Sequence, residues 1–280
     1  MNTYDTKLAI IGRGTWPLKI KYSLESNFQE LDVKVFPARE VVSNPKLVQN
    51  SGFHVIWIAT QPSLQLKLLE KLLDMSQTII LEKPLGSNRA EIQSLIQFLQ
   101  EHPLGVVAPS NPWSYETTCL EVVELIKKEG LDKVKIELTK RGPNRRSYLS
   151  PVEDWIPHDL YFLGKIFNSE VITFNKITGN RESAVAKFIC ERLQTQVTVN
   201  SGFSEERLAE LIYSKGPKEI KANFLSGRIL INGTEHKFRA KDPHDAISRN
   251  YLDVKNWGRE RFINVANLQL EVFSSLERLK

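Results

Sequence analysis

Leu81-Glu82-Lys83-Pro84-Leu85 closes a short apolar run, Thr78-Ile79-Ile80. A lysine at the mouth of a buried strand, pinned by the proline after it, adds little to a core. It is well placed to aim an ammonium group into a cleft, where it can stabilise developing negative charge on a substrate oxygen. A second cluster of titratable groups is Asp154-Trp155-Ile156-Pro157-His158-Asp159-Leu160. Pro157 has no N–H and suits the first turn of a helix, so the sequence predicts a helix starting near Asp154. Spacing of four puts Asp154 and His158 near one face, where a carboxylate can fix an imidazole's tautomer and raise its basicity, as a general acid/base needs. Asp154 as a helix cap, with His158 as a hydrogen-bonded structural residue, fits the same spacing. The third feature is a turn, Gly12-Arg13-Gly14-Thr15-Trp16-Pro17.

The elements around these residues follow from hydrophobic pattern. Lys7-Leu8-Ala9-Ile10-Ile11 reads as a buried parallel strand, and Ile20, Leu24 and Phe28 mark one face of the helix after the glycine turn. Thr15 can cap that helix, with Pro17 in its first turn. Strand, glycine turn and helix form a context for pyrophosphate binding, in which glycines admit backbone N–H groups and the helix N-terminus favours negative charge. Pro17 stands where a third glycine or alanine is usual. A second strand, Val33-Lys34-Val35-Phe36, ends in Phe36-Pro37-Ala38-Arg39 without the carboxylate that holds a ribose; Arg39 leans the reading from NAD towards NADP. A third strand, Phe53 to Ala59, ends in Thr60-Gln61-Pro62, with a helix registered on Leu64, Leu68 and Leu72. The fourth runs Gln77 to Leu81. A helix (Ile92, Leu95, Ile96, Leu99) and a strand over Leu104-Gly105-Val106-Val107-Ala108 complete the domain. Gly12, Thr60 and Lys83 all fall at C-terminal strand ends, where open parallel sheets bind ligands.

After residue 110 the grammar changes. A helix from Tyr115 to Lys128 precedes alternating strands: Lys133 to Leu138, Val171 to Ile177, Ala184 to Ile189, Thr195 to Val199 and Leu211 to Tyr213. Gly227 to Phe238 reads as a hairpin with an Asn232-Gly233 turn. The tail from Asp245 to Lys280 reads as helical. The fold class is therefore α/β: an N-terminal Rossmann doubly wound parallel sheet over 1–110, and a C-terminal α+β domain over 111–280 with a mostly antiparallel open sheet and a C-terminal helix packing back.

Composition narrows the function classes. The 280 residues are 41% hydrophobic and 25% charged, ordinary for a globular protein of two domains. No apolar run approaches the ~20 residues that span a bilayer, and the start lacks the pattern of a signal peptide. Cys119 and Cys190 form no redox or metal spacing and read as reduced thiols of a cytoplasmic protein. The five histidines lack ligand spacing, so no metal is expected. A net charge of +5 suits an anionic small-molecule ligand, although the basic residues are spread along the chain as on a solvated surface. No nucleic-acid motif accompanies it. Arg141, Arg145 and Arg146 either grip a substrate phosphate or carboxylate or line a solvated loop, the latter being favoured.

Taken together, Gly12-Arg13-Gly14, Ala59-Thr60-Gln61-Pro62, Glu82-Lys83-Pro84-Leu85 and Asp154 through Leu160 resemble the Gfo/Idh/MocA family of oxidoreductases, in order and spacing over nearly the whole chain. The resemblance implies a Rossmann domain followed by a substrate domain whose open sheet mediates assembly into a homo-oligomer, a dimer or tetramer. It implies NAD(P)-dependent hydride transfer on sugars, sugar nucleotides or cyclitols. By matching position, Lys83 bonds the reacting hydroxyl, His158 is the general acid/base, Asp154 orients it or the substrate, and Glu82 supports the loop. Gly12, Arg13, Gly14, Thr15, Trp16, Arg39, Ala59, Thr60, Gln61, Pro62, Glu82 and Lys83 would contact the dinucleotide, and the Lys83–Pro84 bond would be cis. Three departures stand out: Ile156 replaces a usual glycine, the third glycine of the dinucleotide turn is lost, and the chain is shorter than most members. Reduction of a C=N or conjugated double bond, or dinucleotide binding without turnover, are the rival readings.

Overall fold

The computed structural model describes residues 7–72, 78–102, 106–143, 146, 148–168, 170–239 and 244–279. Gln77, Leu104 and Gly105, expected in strands, lie outside the described residues. The chain forms two compact units, Met1–Pro112 with His244–Ala266, and Trp113–Pro243 with Asn267–Lys280.

The first unit alternates β1 (Lys7–Ile11), α1 (Thr15–Asn27), β2 (Asp32–Phe36), α2 (Ala38–Ser43), α3 (Lys46–Gln49), β3 (Val55–Ile58), α4 (Pro62–Leu72), β4 (Thr78–Glu82), α5 (Arg89–Glu101) and β5 (Val106–Ser110). The strands form one sheet in the order β2-β1-β3-β4-β5. Every pairing in it is parallel. β3 and β4 are buried at each position, as strands covered on both faces are. The order reverses at β1, so the switch point where such sheets take ligands lies beyond the C-terminal ends of β1 and β3. In α4 the buried stripe is Gln65, Leu68, Leu69 and Leu72. Leu64, expected to lead that stripe, is half-exposed.

The second unit holds α6 (Thr117–Glu129), β6 (Lys135–Gly142), α7 (Pro151–Phe167), β7 (Thr173–Gly179), β8 (Ser183–Cys190), β9 (Thr195–Phe203), β10 (Leu208–Lys215), β11 (Lys218–Asn223), β12 (Arg228–Ile231) and β13 (Thr234–Glu235). Its sheet runs β13-β12-β11-β10-β6-β9-β8-β7. Six of the pairings are antiparallel and one, β6 with β9, is parallel. Alternate residues of β6 and β8 are buried, and α7 packs against β9 and β6. The expected Asn-Gly turn joins β12 to β13, with Asn232 at φ 49° and Gly233 at φ 81°, the left-handed pair that a two-residue hairpin requires. β11 was not expected: Ile220 and Ala222 are its buried residues, too few to stand out, and its place between β10 and β12 fixes it. The fold class matches the sequence expectation.

The tail is two helices. α8 (Ala246–Asp253) and α9 (Arg259–Leu276) are separated by a tight turn and by Gly258 at φ 58°, a conformation that favours glycine. Asp245 caps α8, accepting from the Ser248 N–H at 2.8 Å and from Ser23 Oγ of α1 at 2.7 and 2.6 Å. Burial pulls its carboxyl up, but the hydrogen bonds from Ser23, Ser248 and the Ile247 N–H outweigh burial and hold it below the usual carboxylate range. The buried Asn250 accepts from the Asn111 N–H at 2.9 Å and donates to the Pro109 carbonyl at 3.2 Å. Among the described residues no helix is long and apolar enough to cross a membrane.

Candidate active site

The glycine turn follows β1. The Gly12 N–H donates to the Phe36 carbonyl at 2.9 Å, and the Ala59 N–H donates to that of Ile11 at 2.8 Å, so the ends of β1, β2 and β3 are drawn together. A Cβ on Gly12 would overlap the Ala59 carbonyl oxygen and stand 2.8 Å from Pro17 Cγ. The missing third glycine is thus replaced by a buried proline ring packed on the first. Gly12→Ala is expected to destabilise the protein by about 1–3 kcal/mol, because the contact is with backbone that cannot step aside. Chemical denaturation checks this; an unchanged midpoint would show the turn is looser than this packing.

Gly14, at φ 107° and ψ −164°, is the N-cap of α1. Thr15, expected as the cap, is instead the first helical residue, and the cap makes no side-chain hydrogen bond. The physical reason is the Gly14 backbone, which turns the chain into the helix one residue early. The first turn of α1 also carries no acidic residue, so its N–H groups are suited to an anion. Arg13 and Thr15 are exposed, Trp16 is half-buried and Ala59 is buried; beyond β3, Thr60 is half-buried, Gln61 exposed, and Pro62 buried at the start of α4. Arg39 is exposed in the first turn of α2. The Phe36 ring meets Phe53 edge-on at 5.6 Å.

Glu82 is the junction of this unit. Its Oε1 accepts from Trp16 Nε1 at 2.6 Å, from Trp57 Nε1 at 3.4 Å, and from Ser110 Oγ. The glycine-turn helix, β3, β4 and β5 therefore meet on one carboxylate. Lys83 follows at the end of the fully buried β4 and is itself 9% exposed. The Lys83–Pro84 peptide is cis. Gln65 Nε2 donates to the carbonyls of Glu82 and Pro84 at 2.8 and 3.1 Å.

In the second unit the key helix starts earlier than expected. α7 begins at Pro151, with Ser150 and Glu153 forming a reciprocal capping box: Ser150 N–H to Glu153 Oε2 at 2.8 Å, Glu153 N–H to Ser150 Oγ at 3.3 Å. Pro151 fills the first-turn position that suits proline, and Pro157 lies inside the helix, where it leaves the Glu153 carbonyl without its usual helical donor. Glu153 also pairs with Arg181 at 2.6 Å. Asp154 is 4% exposed. Arg146 Nη1 donates to its Oδ1 at 2.9 Å, so an arginine read as loop or phosphate clamp is a partner of the carboxylate. Arg141 donates through Nε to Asn200 Oδ1 at 3.2 Å. Arg145 lies outside the described residues.

His158 is half-exposed on α7, flanked by the Trp155 ring at 5.9 Å and the Trp113 ring, set edge-on at 6.3 Å. Trp155 is seated by Gly142: its Nε1 donates to the Gly142 carbonyl at 3.3 Å, and a Cβ there would come 2.7 Å from its Cζ2. Trp113 carries Lys140 Nζ 2.9 Å above its ring and packs on Phe162 and Phe224. Ile156 is wholly buried. Burial pushes the Cys119 thiol up, which leaves it inert as a nucleophile. Among the described residues no three His, Cys, Asp or Glu side chains are grouped to hold a metal.

The sequence thus placed Gly12, Gly14, Trp16, Ala59, Glu82 and Lys83 in one unit and Asp154 and His158 on one helix of the other. It missed Gln65, Trp57 and Ser110 around Glu82 and Lys83, and, around the helix, Trp113 and the pairing of Arg146 with Asp154. Only Gln65 left a trace, as a polar residue in the 65-68-69-72 apolar stripe.

The solved structures that share this fold include UDP-N-acetylglucosamine 3-dehydrogenase from Acidithiobacillus ferrooxidans, 14% identical, with 98% of each chain covered and a TM-score of 0.69. A variant of a 3-ketoreductase from Actinomadura kijaniata, in complex with TDP-benzene and NADP, is 10% identical, covers 98% of this chain and 97% of its own, and has a TM-score of 0.72. Myo-inositol 2-dehydrogenase from Lactobacillus plantarum is 11% identical with the same coverage and a TM-score of 0.67. No curated protein matches the chain by sequence. Residues 22–108 match the Gfo/Idh/MocA family model, described as an oxidoreductase family with an NAD-binding Rossmann fold.

Proposed function

We propose that the protein is an NAD(P)-dependent oxidoreductase that passes a hydride between the nicotinamide and a carbinol or carbonyl carbon of a sugar, sugar nucleotide or cyclitol. The observation that carries the reading is the Glu82 junction, which ties the glycine-turn helix, through Trp16, to the strand that presents Lys83. The residues fit a dinucleotide: Gly14 leaves open space where a Cβ would stand, and the α1 N-terminus is uncapped by any side chain. Gly12, Arg13, Gly14, Thr15 and Trp16 would hold the pyrophosphate, and Ala59, Thr60, Gln61 and Pro62 the neighbouring edge. Arg39 would face a 2′-phosphate, the basis for preferring NADP; the Actinomadura structure holds NADP. When bound, the cofactor supplies or accepts the hydride. Lys83 would hydrogen-bond the reacting oxygen and stabilise charge on it. His158 would take or return the hydroxyl proton, with Asp154, fixed by Arg146, orienting the substrate or the imidazole.

The named neighbours act on a sugar nucleotide and a cyclitol, which sets the first substrate panel. Assembly as a homo-oligomer belongs to the same proposal, and light scattering of the purified protein tests it. The deciding experiment titrates the protein with NADH and NADPH, following energy transfer from tryptophan to nicotinamide. NADPH is expected to bind, and more tightly than NADH. Arg39→Ala is expected to remove that preference. Binding of neither would refute the oxidoreductase reading. Turnover is then sought with myo-inositol, glucose and UDP-N-acetylglucosamine against NAD and NADP.

A further inference from the structure

We propose that Gln65 is a positioning residue for Lys83, an inference that rests on the catalytic reading of Lys83. Gln65 is wholly buried in the first turns of α4. Both hydrogens of its amide are committed: Nε2 donates to the Glu82 carbonyl at 2.8 Å and to the Pro84 carbonyl at 3.1 Å. Those two carbonyls flank Lys83, so one side chain grips the main chain on either side of the lysine.

The other half of the amide shows that this is not a packing solution. Gln65 Oε1 is buried and makes no hydrogen bond, and an orphan acceptor in a core is a net cost. Its stripe neighbours Leu68, Leu69 and Leu72 are apolar, and a leucine or methionine would continue the stripe without that cost. What the amide alone supplies is the two donors. Glu82 is anchored separately, through its side chain, by Trp16, Trp57 and Ser110. The residue before Lys83 is thus held by its carboxylate, and the peptides around it by Gln65. The lysine side chain leaves from a base fixed on both sides. Catalytic groups must be held to within a few tenths of an ångström to act.

The test compares Gln65→Met and Gln65→Glu with the wild-type full chain in three measurements: NADPH titration, steady-state kinetics on the panel above, and hydrogen–deuterium exchange of the peptide covering residues 78–86. Methionine keeps the volume and removes the donors. Gln65→Met is expected to lower kcat by about 10- to 100-fold, the scale of a misplacement near 1 Å, with KM and NADPH affinity little changed and exchange around Lys83 faster. A carboxylate in Gln65→Glu would face two carbonyl oxygens, and only its protonated form can donate. Its kcat relative to wild type should therefore rise as pH is lowered from neutral, a signature that simple loosening of the core would not produce. A Gln65→Met enzyme with wild-type kcat, or unchanged exchange in both variants, would overturn the assignment. If the wild type binds NADPH but turns over nothing in the panel, the substrate reading has failed, and the exchange result alone decides on Gln65: faster exchange supports the grip, unchanged exchange refutes it.

Discussion

His158→Ala is expected to lower kcat by about 100- to 10,000-fold while NADPH binds as before, the range a positioned acid/base is worth. The imidazole sits on α7 between two indoles, Trp155 and Trp113. Each indole has its own anchor, Trp155 on Gly142 and Trp113 against Phe162, Phe224 and Lys140. Removing the ring therefore leaves its walls standing, and the loss reports chemistry rather than collapse. The residues proposed to hold the dinucleotide all lie in the first unit, so binding should be spared. Activity within about threefold of wild type would mean that the proton moves elsewhere, since a general acid/base cannot be lost so cheaply. His158 would then be a structural histidine held by its aromatic neighbours.

Lys83→Met should cost about 100- to 1,000-fold in kcat, comparable to losing one oxyanion-stabilising donor. Methionine retains most of the length and the apolar stem, and removes the ammonium. Lys83 follows a strand buried at every position and is 9% exposed, an environment in which a charge acts at greater strength than in water. A fall in kcat with NADPH affinity and Tm preserved is the expected pattern. The opposite pattern, a lower Tm with kcat intact, would make the lysine structural and leave the oxyanion without its proposed partner.

Lys83 was legible in the sequence because it breaks type: an apolar run that ends in Glu-Lys-Pro has no packing reason to do so. The parallel sheet was legible for a related reason, since β3 and β4 are apolar on both faces. The start of α7 was not. Pro157 drew the boundary toward Asp154, whereas Ser150 and Glu153, a capping box on either side of Pro151 and Val152, set it. A proline inside a helix is a local conflict that tertiary packing overrode, and α7 is buried along nearly its whole length. The partners of Glu82 were beyond reach in principle. Trp16, Trp57 and Ser110 come from three other elements, and no local spacing links them. Gln65 was hidden by a shift of one residue in the period, because starting the stripe at Leu64 leaves the glutamine on the wrong face. The Arg146–Asp154 pair is similarly long in space and short in signal: eight residues apart, across a turn, it follows no helical or strand rule.

The first unit is assembled from two separate stretches of chain. Asp245 reaches Ser23 and caps α8, and Asn250 seals the end of β5 through Pro109 and Asn111. On a ribosome, which adds roughly 5–20 residues each second, the five parallel strands emerge long before the segment that closes them. The N-terminal sheet must wait, partly unsealed, while the whole second sheet is synthesised. A gene cut at residue 112 would encode every strand of the nucleotide-binding fold and still yield an unfinished domain.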